Sequence, residues 1–193
     1  MPFTSPPVAA AWRHQDARSG FETVFFEPRE DGWRISGCTS AVEDGEPWYV
    51  EYAIDVDDTW TTRAARVDGR SSAGTRSTLL QCDGFGRWRV DGRDAPFLDG
   101  CLDVDLESSA MTNAFPVHRM GLDVGARSEA PAAYVRAVGL AVERLEQTYR
   151  RTAVQDSRQR YDYAASRFDF TGVLVYDQSG LVLDYPGIAT RVH

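Results

Sequence analysis

The stretch Pro47–Asp57, "PWYVEYAIDVD", sets the strongest limit on what this chain can become. Trp48, Val50, Tyr52, Ile54 and Val56 alternate with Tyr49, Glu51, Ala53 and Asp55. A period of two places the first set on one face of a strand and the second on the other. The chain therefore builds a sheet with an apolar side that something must cover. "TLLQCDGFGRWRVDG" reads as a hairpin turning at "DGFG", and "FTGVLVYDQSGLVLDYPG" as another turning at Asp177–Gly180, with Gly180 as the positive-φ residue. "FETVFFEP", "GWRISGCTSAVEDG" and "WTTRAARVDG" add further strands, and turn residues recur between Gly20 and Gly100 as in an antiparallel meander.

With 193 residues the chain suits one domain, residues 1–193, large enough to bury a full core without disulfides or metals. Cys38, Cys82 and Cys101 are odd in number and widely spaced, giving neither a disulfide framework nor a zinc pattern. The net charge of −8 argues against nucleic acid as a partner, and all 21 basic residues are Arg, whose planar forks suit carboxylates and phosphates. The N-terminus lacks a basic segment followed by an apolar one, and no run approaches the roughly 18 apolar residues of a membrane span. A soluble, cytoplasmic protein is expected.

One region is ambiguous. From about Ala132 to Thr152 the chain is rich in Ala, Leu, Glu and Arg, and Val135, Val138, Val142, Leu145 and Tyr149 recur at helical spacing. Against a helix, Gly139 interrupts it and "RLEQTYRRT" alternates with period two. The residues themselves leave both readings open.

Taken in order, "DDTWTTRAARVDG", "DGFGRWRVDG", "LDGCLDVDL", "TNAFPVHR", "LEQTYRR", "YDY" and "VYDQSGLVLDYPGIATR" resemble the bacterial "putative glycolipid-binding" family, from about Trp12 to Arg191. The resemblance implies a mainly β, single-domain antiparallel spiral β-roll, a half-barrel curled around an apolar interior. It also implies strand–turn–strand structure over residues 132–152. Ser109–Ala110 departs from the Thr-Pro or similar pair more usual before the Asn. No catalytic residues come with the resemblance.

The acidic run "LDVDLE" is the chain's densest polar feature. If Cys101–Glu107 is a strand, Asp103, Asp105 and Glu107 share one face, with Asp103 and Asp105 about 6.6 Å apart. That falls within the ~6.5–9.5 Å carboxyl separation of inverting glycosidases, but every such pair on a strand has this spacing. A solvent-wetted face explains it first, an ion network with Arg63 and Arg119 next, and catalysis or metal binding last. The three histidines are far apart in sequence, and His118 reads as a partly buried side chain bonded to backbone. No nucleophile elbow is present, and "GFG" opens a strand where a dinucleotide site needs a helix.

Aromatic residues on predicted strands serve first to fill the core. Where a curled sheet leaves space, they also line a ligand site. Trp60 with Arg63, Trp88, the acids Asp103 and Asp105 with Arg119, and Tyr149, Tyr161 and Tyr163 form the candidate ligand-binding set. The expected function is binding of a glycolipid or other amphipathic small molecule, without cofactor, metal or catalytic residues. A structural module acting through a sheet face or edge, including a homo-oligomer, and a carboxylate-using hydrolase are the alternatives.

Overall fold

The computed structural model describes residues 3–16 and 18–193. The chain opens as an eight-strand meander: β1 (Ala9–His14), β2 (Ser19–Arg29), β3 (Gly32–Glu43), β4 (Glu46–Asp57), β5 (Thr62–Ser71), β6 (Gly74–Cys82), β7 (Trp88–Val90) and β8 (Arg93–Asp94). A middle segment follows, with β9 (Asp103–Leu106), α1 (Ala114–Met120), β10 (Arg127–Glu129), β11 (Ala132–Val135) and β12 (Val142–Leu145). β13 (Gln147–Gln155), β14 (Arg158–Ala165), β15 (Phe170–Tyr176), β16 (Val182–Tyr185) and β17 (Ala189–Arg191) complete it.

β17 pairs antiparallel with β1, Arg191 opposite Trp12, which splices the two meanders into one 14-stranded sheet ending at β10 and β8. The sheet is antiparallel throughout and does not close into a barrel, because those two ends remain unpaired with each other. Each long strand follows the alternation: Trp48, Val50, Tyr52, Ile54 and Val56 are all buried on one face of β4.

That face is covered by the chain itself. β9, β11 and β12 form a separate three-stranded sheet, with β9 and β11 parallel and all four residues of each buried. Ala114, Phe115, Pro116 and Val117 of α1 are buried beside them. The expectation of a half-wet strand at the acidic run is thus not met: β9 is covered on both sides. Two apolar clusters result. The larger joins Val50, Ile54, Val67 and Leu80 of the first meander to Val104, Phe115 and Val135. The smaller is rich in tyrosine and gathers Tyr134, Tyr149, Tyr161, Tyr163 and Tyr176 against Val117.

Residues 132–152 form β11, β12 and most of β13. Pairing with β9 outweighs the local helix preference, as tertiary context commonly does. The turn between β11 and β12 holds Gly139 at φ +80° and Leu140 at φ +53°, which a helix cannot contain. Three other turns share one chemistry. Oδ1 of Asp57, Asp83 and Asp177 accepts the N–H two residues on (Thr59, Phe85, Ser179) and four residues on (Thr61, Arg87, Leu181). Such side-chain caps fix tight loops. Among the described residues no helix is long and apolar enough to cross a membrane.

Candidate functional site

The three acids of the run meet three different fates. Asp103 is fully buried and takes a two-pronged contact from Arg119, at 3.0 and 2.6 Å. Glu107 pairs with Arg136 at 3.0 Å and accepts the Ala137 N–H at 2.8 Å. Asp105, between them, is 7% exposed and has one hydrogen bond among the described residues, from the Thr112 hydroxyl to Oδ1 at 2.8 Å. No arginine lies within ion-pair distance of it among the described residues. Burial pushes its carboxyl up to about 6, Thr112 opposes the shift, and Asp103 and Glu107 add to it. In Asp103 burial also raises the carboxyl, with the Arg119 contacts opposing.

Asp105 faces a cavity of about 170 Å³ between the middle segment and the second meander. One wall is a mutually packed trio, Tyr163 of β14, Phe170 of β15 and Tyr185 of β16, with ring centroids 5.6 to 5.9 Å apart. Another is Tyr134 of β11 against Phe168, at 5.5 Å, with the Arg136 guanidinium 5.4 Å from both ring centroids. Leu106, Asn113 and Leu145 line it deeper, and Phe168, 41% exposed, lies at its rim. Arg18 and Glu107 also border it; the Arg18 Nη1 donates to the Glu107 carbonyl at 2.9 Å. Aromatic faces around one buried carboxylate make a site that can hold a small ring or cationic group by stacking, hydrogen bonding and charge.

Of the residues singled out from sequence, Asp105 and Tyr163 border this cavity. Asp103 and Arg119 form the buried ion pair behind it. Tyr149 donates to Asn113 Oδ1 at 2.9 Å, and Tyr161 to Gln159 Oε1 at 3.1 Å, both fully buried. Trp88 is buried and donates its indole N–H to the Cys101 carbonyl at 2.8 Å. Arg63 pairs with Asp57 at 3.2 Å and so braces a capped turn, not the acidic run. Trp60, at φ +65° within that turn, stacks on His118 with ring centroids 3.7 Å apart. His118 Nε2 lies 2.9 Å from the Ser179 carbonyl, and burial holds the imidazole down at about 4.

Sequence reasoning did not find Arg18, Tyr134, Phe168, Phe170 or Tyr185. Tyr185 lies in a family word, and "RFDF" shows a period-two aromatic pair, but nothing in the chain brings these stretches together. Among the described residues no three His, Cys, Asp or Glu side chains gather as a metal site.

A family model described as "Putative glycolipid-binding" matches residues 9–191. A crystal structure of a DUF1089 family protein from Pseudomonas aeruginosa superposes with a TM-score of 0.77 at 32% identity, covering 100% of both chains. That of a beta-barrel-like protein of domain of unknown function DUF1849 from Brucella abortus gives a TM-score of 0.50 at 12% identity, over 98% of this chain and 95% of that one, a likeness of fold alone. No curated protein matches the chain.

Proposed function

Because the chain belongs to the family described as putative glycolipid-binding, we propose that it binds an amphipathic small molecule of glycolipid type, with the polar headgroup seated at Asp105. The observation that carries this reading is the meeting, in one cavity of about 170 Å³, of five aromatic rings and a carboxyl with a single hydrogen bond. Sugars present apolar C–H faces to aromatic rings and hydroxyl donors to carboxylates, and this lining supplies both partners.

The size of the space decides how such a ligand sits. Cavities of ~150 Å³ hold one benzene ring, whereas drug-sized ligands need ~300–1,000 Å³. One headgroup ring fits and a lipid tail does not, since α1, β9 and β11 fill the concave face. The tail therefore leaves across Phe168 and Phe170 at the rim.

Titration of the full chain with a short-chain glycoside, followed by amide NMR, tests the proposal. Shifts should cluster at Tyr134, Phe168, Phe170 and Tyr185. Phe168→Ala, at a rim position, should weaken binding about tenfold with little change in melting temperature. Shifts confined to other faces of the sheet would overturn it.

A further inference from the structure

We infer that the headgroup taken by this cavity carries a small organic ammonium, with Asp105 as its counterion and the rings around it as its walls. The inference rests on the reading of the cavity as the ligand site and goes beyond it by naming the ligand's charge.

The first support is charge accounting. The arginine that borders the cavity, Arg18, and the two nearby, Arg119 and Arg136, each already contact an acid other than Asp105. Arg119 holds both oxygens of Asp103. Arg136 is bound to Glu107 at 3.0 Å and lies 3.5 Å from Glu143. Arg18 donates Nη1 to the Glu107 carbonyl at 2.9 Å, and its Nε, without a hydrogen-bond partner among the described residues, lies 3.8 Å from Glu43 and not at Asp105. Among the described residues Asp105 alone of the three neighbouring acids has no cation, and Asp103 and Glu107 both disfavour its charge. A carboxylate with little exposure, one hydroxyl donor and no cation beside it is costly. A neutral sugar hydroxyl adds a hydrogen bond but brings no compensating charge. An ammonium brings both, and hydrogen bonds between ions are about twice as strong as neutral ones.

The second support is the wall chemistry. Ring faces attract cations, and recognition of alkylammonium groups by aromatic cages uses this attraction. Tyr134 and Phe168 already show the behaviour toward Arg136, whose guanidinium sits 5.4 Å from each ring centroid. Tyr163, Phe170 and Tyr185 have no guanidinium over them among the described residues and border the same space as Asp105. The volume of about 170 Å³ admits one hexosamine ring or one trimethylammonium group.

The probes are glucosamine, N-acetylglucosamine, glucose and tetramethylammonium, each titrated into the full chain near pH 7.5 and followed by amide shifts at the cavity. Glucosamine should bind about tenfold more tightly than glucose or N-acetylglucosamine. Asp105→Asn should reduce that ratio to about one, while Phe168→Ala should weaken glucosamine and keep the ratio. Tetramethylammonium separates the two sources of the charge: if it binds as well as glucosamine, a choline-like group is the ligand, and if it does not, an amino sugar is. Equal binding of glucose and glucosamine would overturn the ammonium and leave the sugar site standing. Failure of every probe to move the cavity resonances would overturn both.

Discussion

Glu22 and Asp105 are both carboxylic acids taken out of water, and the chain treats them oppositely. Glu22, on β2, is fully buried and saturated. Oε1 accepts from the Tyr52 hydroxyl at 2.6 Å and from the Ser109 hydroxyl, and Oε2 accepts the Ala110 N–H at 2.8 Å. Gly37 makes this possible, since a side chain there would occupy the space of the Tyr52 ring. Asp105 keeps a single donor, Thr112, and faces a cavity. Burial raises the pKa of both acids, so burial alone does not separate them. The difference is hydrogen-bonding capacity left unused. Glu22 fastens the loop Ser109–Ala110 to the first meander, whereas Asp105 has one oxygen with no donor among the described residues.

The comparison breaks first, and by most, at Glu22. Glu22→Ala removes the shared acceptor of three buried donors and leaves a void among them. Each unsatisfied buried donor costs ~1–3 kcal/mol, so a loss of about 4 kcal/mol is expected after partial relaxation. Urea denaturation measures it. A loss under about 1 kcal/mol would mean that the Glu22 network does not hold the two parts together.

Asp105→Asn should do the reverse. The carboxyl is lifted to about 6 in the folded chain from an ordinary 3.8. Between those values the folded state binds its proton more tightly than the unfolded state does. Its contribution to stability is therefore favourable at low pH and is lost as pH rises from about 4 through about 6. Asparagine does not titrate. The titrating difference should vanish below about pH 3 and reach about 2–3 kcal/mol in favour of the variant above pH 7. His14 and His118, both held down at about 4 chiefly by burial, slope the other way, but they are common to both proteins and cancel in the difference. Melting temperatures of the pair across pH measure the effect, and a constant offset would show that Asp105 does not carry the charge.

The sequence exposed the strands and hid the site, for one reason. Alternation in β4 is visible because one face meets water and the other meets protein. β9 meets protein on both faces, so its alternation of Asp and aliphatic residues does not report an inside and an outside. Helix propensity misleads over 132–152 because the decisive partner, β9, lies some thirty residues earlier, with Asp103 opposite Ala132. The words that carried the family resemblance are to a large part turn chemistry: Asp57, Asp83 and Asp177 cap loops, and Arg63 and Arg191 brace two of those caps. The cavity draws on Arg18, the 105–113 segment, Tyr134, Leu145, the 163–170 segment and Tyr185. No local pattern joins these stretches; only the seam between β17 and β1 and the folding-in of the middle segment do.

The sharpest and smallest test lies at Ser109, which touches both regions: it donates to Glu22 and borders the cavity of Asp105. Ser109→Ala removes one of three donors to Glu22 and keeps the acceptor bound by Tyr52 and Ala110. One net hydrogen bond is worth about 1 kcal/mol, so the loss should be near that value, well below the effect at Glu22 itself. Ser109 gives no hydrogen bond to Asp105, whose only donor among the described residues is Thr112. The pH profile of the variant should therefore keep the fall between about 4 and 6 that Asp105 imposes. Loss of that fall would mean that the two carboxylates titrate as one network through Ser109, and the distinction between a finished acid and an open one would collapse at the residue that bridges them.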